Sequence, residues 1–413
     1  MLGIIALSPG FLVSILVFAM FVTTFWLAVY GIKIRSVHKK TTNNSFFPKV
    51  SIIIPVHNSA KDIGKTLKSI FSSNYPKKNM EVIMVNDAST DNTLSILKKF
   101  PVKIITNAKQ LGKVGSLNKA ISRARGEFIV TMDDDSLLEP NALALIIKPF
   151  ENKRVGAVAG VYKTRSESKI LEKIQTFEYM WFSFTRKLQE ALGCVLVIPG
   201  ALGAFRKDVL KKVGGFDSDT MIEDYDVTVK IHKKGYKVAC VKDAYAMINA
   251  PNTILGLVKQ RTRWYRGGLQ VFWKHRDVFA GRRGMLSFLW IFEGIGLALQ
   301  LFVMSVVGLE TIKFIIANSF TSFMVLARIW FANVISMNLN FMGMIPLFIV
   351  VLMALGLTGA FASIRLTNEP MRRIAIYPLT MFYATFMTFV FIKSLFEEIL
   401  KFDRVWSSQH GKC

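Results

Sequence analysis

The sequence has few cysteines for its length. Only Cys194, Cys240 and Cys413 occur among 413 residues, with no C-x-x-C pair and no histidine cluster near any of them. This spacing excludes a disulfide framework and an ordinary zinc site. It indicates free thiols in a reducing compartment.

Acidic residues are also scarce, because 28 Asp and Glu residues stand against 53 Lys and Arg residues, a formal net charge of +25. The basic residues form no zinc-finger, basic-zipper or RNP pattern. We therefore expect no nucleic-acid partner. Many of them lie beside apolar segments, as in 33–40, so membrane topology, anionic lipids and an anionic small substrate explain the charge.

Long apolar runs lie at both ends of a chain that is 52% hydrophobic, with a mean hydropathy of +0.37. Segment 11–32 has the length of a membrane span, about 20 residues, and a basic cluster follows it. This order predicts an anchor with its N-terminus outside and the next domain in the cytosol. Further spans are predicted at 286–308, 341–364 and 374–393. Polar residues interrupt 311–336, so a fourth C-terminal span stays open.

Between residues 48 and 250, short β-branched runs alternate with helical patterns. Predicted strands cover 50–55, 81–85, 102–105 and 128–131, and predicted helices cover 60–71, 91–99 and 114–125, with Asp91 as a helix N-cap. This alternation predicts a doubly wound, mostly parallel α/β sheet. In such a sheet, ligands bind beyond the carboxyl ends of the strands.

Acidic residues follow two of these predicted strands. Asp87 follows the second, where a turn or helix-cap role is the more common one. Asp133 and Asp135 follow the fourth, project to the same side and repel each other unless a cation is present. Mg²⁺ or Mn²⁺ carrying a diphosphate would satisfy both carboxylates. A solvated acidic turn is the alternative.

Two later motifs have structural alternatives of their own. Glu223 and Asp224 open a predicted helix, where acids are common because they favour the positive end of the helix dipole. Gln260, Arg263 and Trp264 lie in a basic segment that would also suit an interfacial helix on anionic lipid. The aromatic segment 170–192 is predicted to rest on the membrane surface or to be an ordinary core helix.

The order of these motifs resembles the processive family 2 glycosyltransferases, the group of cellulose, hyaluronan, chitin and poly-N-acetylglucosamine synthases. A first Asp, a D-x-D, a Glu-Asp pair and a Q-x-x-R-W follow one another. Secondary matches occur at 55–58, 112–118 and 199–206, while 175–179 and 377–379 look closest to the poly-N-acetylglucosamine synthase branch. Two departures are Asn86, where an acid is common, and Ile222, where Thr is common.

The resemblance implies a cytosolic GT-A domain over 46–255, between an anchor and basic linker over 1–45, a Q-x-x-R-W and interfacial region over 256–285 and C-terminal spans over 286–413. It implies an inverting hexosyltransferase with Asp224 as general base and Mg²⁺ or Mn²⁺ as cofactor. The implied binding residues are Pro55, Asn58, Asp87, Lys113, Asp133 and Arg263 for the nucleotide-sugar, Glu223, Gln260 and Trp264 for the acceptor, and Asp133 and Asp135 for the metal.

The leading hypothesis is a multi-pass synthase of the plasma membrane that polymerises a nucleotide-diphosphate sugar, such as UDP-N-acetylglucosamine, and passes the β-linked chain outward. Its partners would be the donor, a growing glycan or lipid acceptor, and membrane lipids. One alternative is a non-processive glycosyltransferase that acts on a polyprenyl-phosphate or glycolipid, which the Q-x-x-R-W motif disfavours. The other is a catalytically silent scaffold, which the intact acids disfavour.

Overall fold

The computed structural model describes residues 24–26, 28–31, 46–281, 283–296, 298 and 341–402, and for 341–352 and 381 it describes the backbone alone. The chain divides into two compact units. One contains 1–38 and 288–377, and the other contains 39–287 and 378–413. The second unit carries every predicted site residue.

An eight-stranded sheet forms the centre of the second unit, with the strand order β3-β2-β1-β4-β7-β6-β8-β5. The strands are β1 (Val50–Val56), β2 (Met80–Asn86), β3 (Lys103–Thr106), β4 (Phe128–Thr131), β5 (Leu137–Leu138), β6 (Val155–Thr164), β7 (Gly203–Arg206) and β8 (Lys237–Ile248). The β-branched run of β1 lies between two neighbouring strands and is buried on both faces, apart from Pro55.

The first four strands are parallel to one another, as predicted. The sheet as a whole is mixed, which corrects the prediction of a mostly parallel one. β7 runs antiparallel to β4 and β6, and β5 runs antiparallel to β8, while β6 and β8 are parallel. Helices also separate the strands of the mixed half along the chain, so the strand–helix alternation on which the prediction rested does not determine strand direction there.

Helices connect most of the strands along the chain, and others follow the last strand. They are α1 (Ile63–Phe71), α2 (Thr93–Leu97), α3 (Gly112–Arg123), α4 (Ala142–Ile147), α5 (Ile170–Ala191), α6 (Lys207–Lys212), α7 (Glu223–Lys233), α8 (Ile254–Lys274), α9 (Phe341–Thr367) and α10 (Tyr377–Ile399). The predicted cap at Asp91 is wrong by one residue, because Asn92 is the N-cap of α2. The Asp91 carboxylate still accepts a hydrogen bond from the Thr93 N–H at 2.9 Å.

The aromatic helix α5 packs one face against the sheet. The ring of its Tyr179 lies 4.7 Å from the ring of Tyr162 on β6, and the hydroxyls of Thr176 and Thr164 are 2.5 Å apart. Trp181 stays 36% exposed on the other face. The core-helix interpretation therefore describes the sheet-facing side, while the membrane-surface role stays a prediction.

The predicted spans are only partly covered by the described residues. Most of 11–32 and of 297–340 lies outside them, including 311–336. Within the described part of the chain, no single helix is both long and apolar enough to cross a membrane. The bent pair Met371–Thr380 and Phe382–Ile399 passes by length and composition together, with 49° between its halves.

Candidate active site

Four charged side chains from three parts of the sequence meet at the carboxyl edge of the parallel strands. Lys113, in the first turn of α3, places its Nζ 2.7 Å from Asp133 Oδ1 and 2.9 Å from Glu223 Oε1. Asp133 follows β4, and Glu223 begins α7 together with Asp224. The structure thus brings the D-x-D and the Glu-Asp pair to one cation.

The Lys113 ammonium remains charged in this position. Burial alone lowers the pKa of Lys113, but the carboxylates of Asp133, Glu223 and Asp224 outweigh burial and hold this pKa above its ordinary value. A positive charge is therefore fixed among the three acids.

Asp224 has the environment of a weakly acidic carboxyl group. Burial, followed by the neighbouring Glu223, raises the pKa of Asp224 to about 6, although Lys113 and Arg263 act in the opposite direction. Its Oδ2 accepts a hydrogen bond from the Gly200 N–H at 2.9 Å, and its Oδ1 accepts one from the Tyr225 N–H at 2.9 Å. A carboxylate with a pKa close to neutrality suits a general base.

Gly200 lies at the centre of the cluster and was not predicted as a site residue. A Cβ at this position would lie 2.9 Å from Lys113 Nζ, 3.4 Å from Asp224 Oδ2 and 3.8 Å from Asp133 Oδ1. Its place in the 199–206 match is the signal that could have identified it. The absence of a side chain leaves the space in which these charged groups meet.

Asp135 differs from Asp133 in burial and in its partners. Asp135 is only 6% exposed, and within the described residues no Lys, Arg or His forms an ion pair with its carboxylate. Burial, followed by Asp133, Asp134 and Asp62, raises the pKa of Asp135 to about 7. A hard divalent cation prefers carboxylate oxygens and would relieve this repulsion, so the donor set at Asp133 and Asp135 fits Mg²⁺ or Mn²⁺.

The Asp87 carboxylate is held by the loop that precedes α3. Its Oδ1 accepts hydrogen bonds from Asn107 Nδ2 at 2.7 Å and from the Leu111 N–H at 2.8 Å, and its Oδ2 accepts one from the Gly112 N–H at 2.8 Å. Gly112 needs its positive φ of 74° for this turn. Asp87 therefore fixes the start of the helix that carries Lys113.

Asn58 and Pro55 lie at the end of β1, beside the loop that follows Asp87. Asn58 has a φ of 53°, and its Oδ1 accepts hydrogen bonds from the N–H groups of Thr90 at 2.8 Å and Asp91 at 3.3 Å. Pro55 is opposite Val85 in the parallel pair of β1 and β2. The Asn58 side chain thus orders the neighbouring loop, and nucleotide binding by these residues stays a prediction.

The Q-x-x-R-W residues lie on α8. Arg263 NH1 donates to the Met221 carbonyl at 3.4 Å, on the segment before α7, and its charge acts on Asp224. Gln260 is only 8% exposed, and its Oε1 accepts a hydrogen bond from Arg261 NH1 at 2.6 Å. The Arg261 guanidinium lies over the Trp264 ring, 4.0 Å from its centroid. Arg261 was not predicted as a site residue.

Gln260 and Arg263 also line a cavity of about 810 Å³. Other basic side chains in its lining are Lys61, Lys65, Arg165 and Lys259. Two of its acids are already engaged, because Asp62 lies 3.4 Å from Arg165 NH1 and Glu172 accepts from the Lys169 N–H at 2.9 Å. The cavity is polar and predominantly positive beside the predicted diphosphate-binding Arg263.

The chain has the curled, mixed α/β sheet of the GT-A class, with acids at the carboxyl edge of its parallel strands. Among solved structures, a mannosyltransferase of Pyrobaculum calidifontis in complex with GDP-Man and Mn²⁺ matches 84% of this chain and 98% of that chain, with a TM-score of 0.56 and 21% sequence identity. That likeness concerns the fold.

Residues 51–214 match the family model described as glycosyl transferase family 2. A poly-beta-1,6-N-acetyl-D-glucosamine synthase of Staphylococcus epidermidis is 32% identical over 277 residues, which cover 63% of this chain and 66% of that protein. A synthase of the same name from Staphylococcus aureus is 29% identical over 279 residues, covering 64% and 67%. Residues 51–214 thus form a glycosyltransferase family 2 domain, and the chain is similar to these synthases. The match spans just under two thirds of the first relative's length.

Proposed function

We propose that this protein is an inverting, processive glycosyltransferase that polymerises N-acetylglucosamine from UDP-N-acetylglucosamine into a β-linked polysaccharide. One observation carries the proposal. Asp133, Glu223 and Asp224 converge with Lys113 around Gly200 at the carboxyl edge of the sheet. This edge is where a sheet of this kind binds its ligands.

Asp224 takes the acceptor proton in the proposed reaction. The acceptor hydroxyl oxygen forms a bond to the anomeric carbon of the donor from the face opposite the diphosphate. The bond between that carbon and the diphosphate oxygen breaks, and its electron pair leaves with the nucleoside diphosphate. The half-buried Asp224, with a pKa of about 6, accepts the proton that the hydroxyl loses.

Lys113 and Arg263 stabilise the negative charge of the leaving diphosphate. Lys113 is held among the acids by two contacts below 3 Å, and Arg263 lines the adjacent basic cavity. Fixed cations of this kind act most strongly where charge develops. Asp133 and Asp135 would hold Mg²⁺ or Mn²⁺, which supplies a further positive charge for the diphosphate when bound.

Polymer synthesis, rather than transfer of one sugar, is proposed from the acceptor side of the site. Trp264 has a flat apolar ring for a sugar, and the neighbouring Gln260 lines the cavity. The relatives are named as synthases of a poly-N-acetylglucosamine. The apolar segments at both ends of the sequence support a plasma-membrane location, a cytosolic catalytic domain and export of the chain through the membrane.

The proposal is tested with membranes that contain the full chain. They are incubated with one radiolabelled nucleotide sugar at a time, and the products are sized and analysed for linkage. We expect UDP-N-acetylglucosamine alone to give a long β-linked product. An Asp224→Asn chain of equal abundance is the matched control, because its donor site keeps its shape.

Three other outcomes would contradict the proposal in different ways. A single sugar on an extractable lipid would show the non-processive enzyme. A polymer that needs two donors would contradict the single-sugar product. No product from any donor, with a well-folded chain in the membrane, would favour a scaffold.

A further inference from the structure

Arg261 contacts both side chains that are proposed to bind the acceptor. Its NH1 donates to Gln260 Oε1 at 2.6 Å, and its guanidinium lies 4.0 Å from the Trp264 ring centroid. The residue is only 1% exposed, so it has no access to a substrate itself. It contacts Gln260 and Trp264 from the buried side.

The guanidinium is fixed by partners on two other helices. It forms an ion pair with Glu178 on α5, and its NH2 lies 3.4 Å from the Tyr383 hydroxyl on α10. The Tyr383 hydroxyl also donates to Glu178 at 2.9 Å. A planar, buried guanidinium held in this way keeps a fixed orientation.

We propose that Arg261 is the positioning residue of the acceptor site, an inference that rests on the proposed function. It covers one face of Trp264, so the acceptor sugar stacks on the opposite face. It also determines the orientation of the Gln260 amide, because a guanidinium only donates and must face Oε1. The Gln260 Nε2 then points its N–H groups to the cavity, where they bind an oxygen of the acceptor, either a hydroxyl or an acetamido carbonyl.

A series of contacts through Arg261 therefore connects α10 to the acceptor site. Tyr383 and Glu178 hold Arg261, and Arg261 holds Gln260 and Trp264. A change at Tyr383, on a different helix from the acceptor-binding pair, should alter acceptor binding. A substitution elsewhere on α8 that leaves Arg261 and its partners in place should not alter acceptor binding.

The test is a pair of steady-state titrations on the full chain in membranes. One varies UDP-N-acetylglucosamine, and the other varies a short β-linked N-acetylglucosamine oligosaccharide as acceptor. In Arg261→Lys, the charge stays but the planar contacts with Gln260 and Trp264 are lost. We expect the acceptor KM to rise on the order of tenfold, the effect of one hydrogen bond to a charged group, and the donor KM to change less than twofold.

Tyr383→Phe and Glu178→Gln are the milder variants, which decide the matter if Arg261→Lys does not fold. Both should raise the acceptor KM in the same direction while the donor KM stays constant. Arg266→Lys is the matched control, because Arg266 is also buried on α8 but pairs with Glu398, with Nε and Oε2 2.9 Å apart. It should leave the acceptor KM unchanged.

The inference is overturned if the wild-type chain is active and all three variants have the same acceptor KM as the wild-type chain. It is also overturned if donor and acceptor KM rise together, since that pattern indicates a general loss of structure. A wild-type chain that forms no glycan from any nucleotide sugar overturns the proposed function instead, and the inference with it. The two failures are therefore distinguishable.

Discussion

Gly200→Ala should inactivate the enzyme without unfolding it. The new methyl carbon would lie 2.9 Å from Lys113 Nζ, closer than a carbon and a nitrogen approach without repulsion. Its other neighbours are Asp224 Oδ2 at 3.4 Å and Asp133 Oδ1 at 3.8 Å. The Lys113 ammonium is at the end of a flexible side chain, so it will move rather than the backbone. Its contacts with Asp133 and Glu223 will lengthen.

The expected magnitudes follow from which group moves. Removing one fixed donor from a developing negative charge costs about 10²–10³-fold in rate, and we expect a loss in that range. Global stability should change by less than about 1 kcal/mol, because Gly→Ala also reduces the conformational entropy of the unfolded chain by a compensating amount. The measurements are release of nucleoside diphosphate and the thermal midpoint of the full chain.

Two further variants establish the cause. In Gly64→Ala, on α1, the new Cβ would meet Ile96 at an ordinary 3.7 Å, so activity should be normal. Lys113→Met removes the cation directly. If Gly200→Ala acts through Lys113, the double variant should be little worse than Lys113→Met alone. Full activity of Gly200→Ala, or additive losses in the double variant, would refute this reasoning.

Three other results are expected. Chelation should abolish turnover, measured as diphosphate release, and added Mn²⁺ or Mg²⁺ should restore it. The Asp135→Asn variant should need far more metal for the same rate. Full activity in excess chelator would contradict this prediction. Trp264→Ala should shorten the polymer on a sizing gel while donor binding survives. An unchanged polymer length would indicate that Trp264 anchors lipid instead. Because the pKa of Asp224 is raised to about 6, the base is protonated below that pH, so the rate should fall about tenfold per pH unit there. The Asp224→Asn variant should lose this fall in rate at low pH together with most of its turnover, while its donor affinity stays near normal.

The parallel half of the sheet was predictable because local signals and the global fold agree there. The β-branched runs at 50–55 and 128–131 match β1 and β4 to within a residue. Parallel strands place their carboxyl ends at one edge, and this rule places Asp133 there. Only the order of motifs in the family indicated that the Glu-Asp pair would lie near it. The distances from Lys113 to Asp133 and Glu223 confirm that they meet.

The rest of the site could not be predicted, since it depends on contacts between residues far apart in sequence. Gly200 has no charge or side chain that would mark it as functional. Arg261 lies in a basic segment that has the composition of an interfacial helix, and only its burial against Glu178 shows otherwise. The antiparallel strand β7 is four residues long and follows the long helix α5, as a parallel strand could, so periodicity gives no indication of its direction.

A second acidic cluster shows what distinguishes the proposed active site from a structural ion pair. Asp217, Asp219 and Asp226 have the spacing of a metal site, but Lys274 Nζ lies 2.8 Å from a carboxylate oxygen of each. All three ammonium hydrogens are therefore used by the protein.

Lys113 differs in that respect. Among the described residues its ammonium forms ion pairs with two carboxylates, Asp133 and Glu223, and the neighbouring Gly200 adds no side chain. One N–H of Lys113 is thus left for a substrate oxygen, whereas Lys274 has none to give. An acidic cluster that is complete within the protein stabilises the fold, and one whose cation keeps a donor can stabilise a leaving diphosphate. By this criterion the reaction belongs at Lys113, and Lys274→Met should lower the thermal midpoint of the chain while the donor KM stays unchanged.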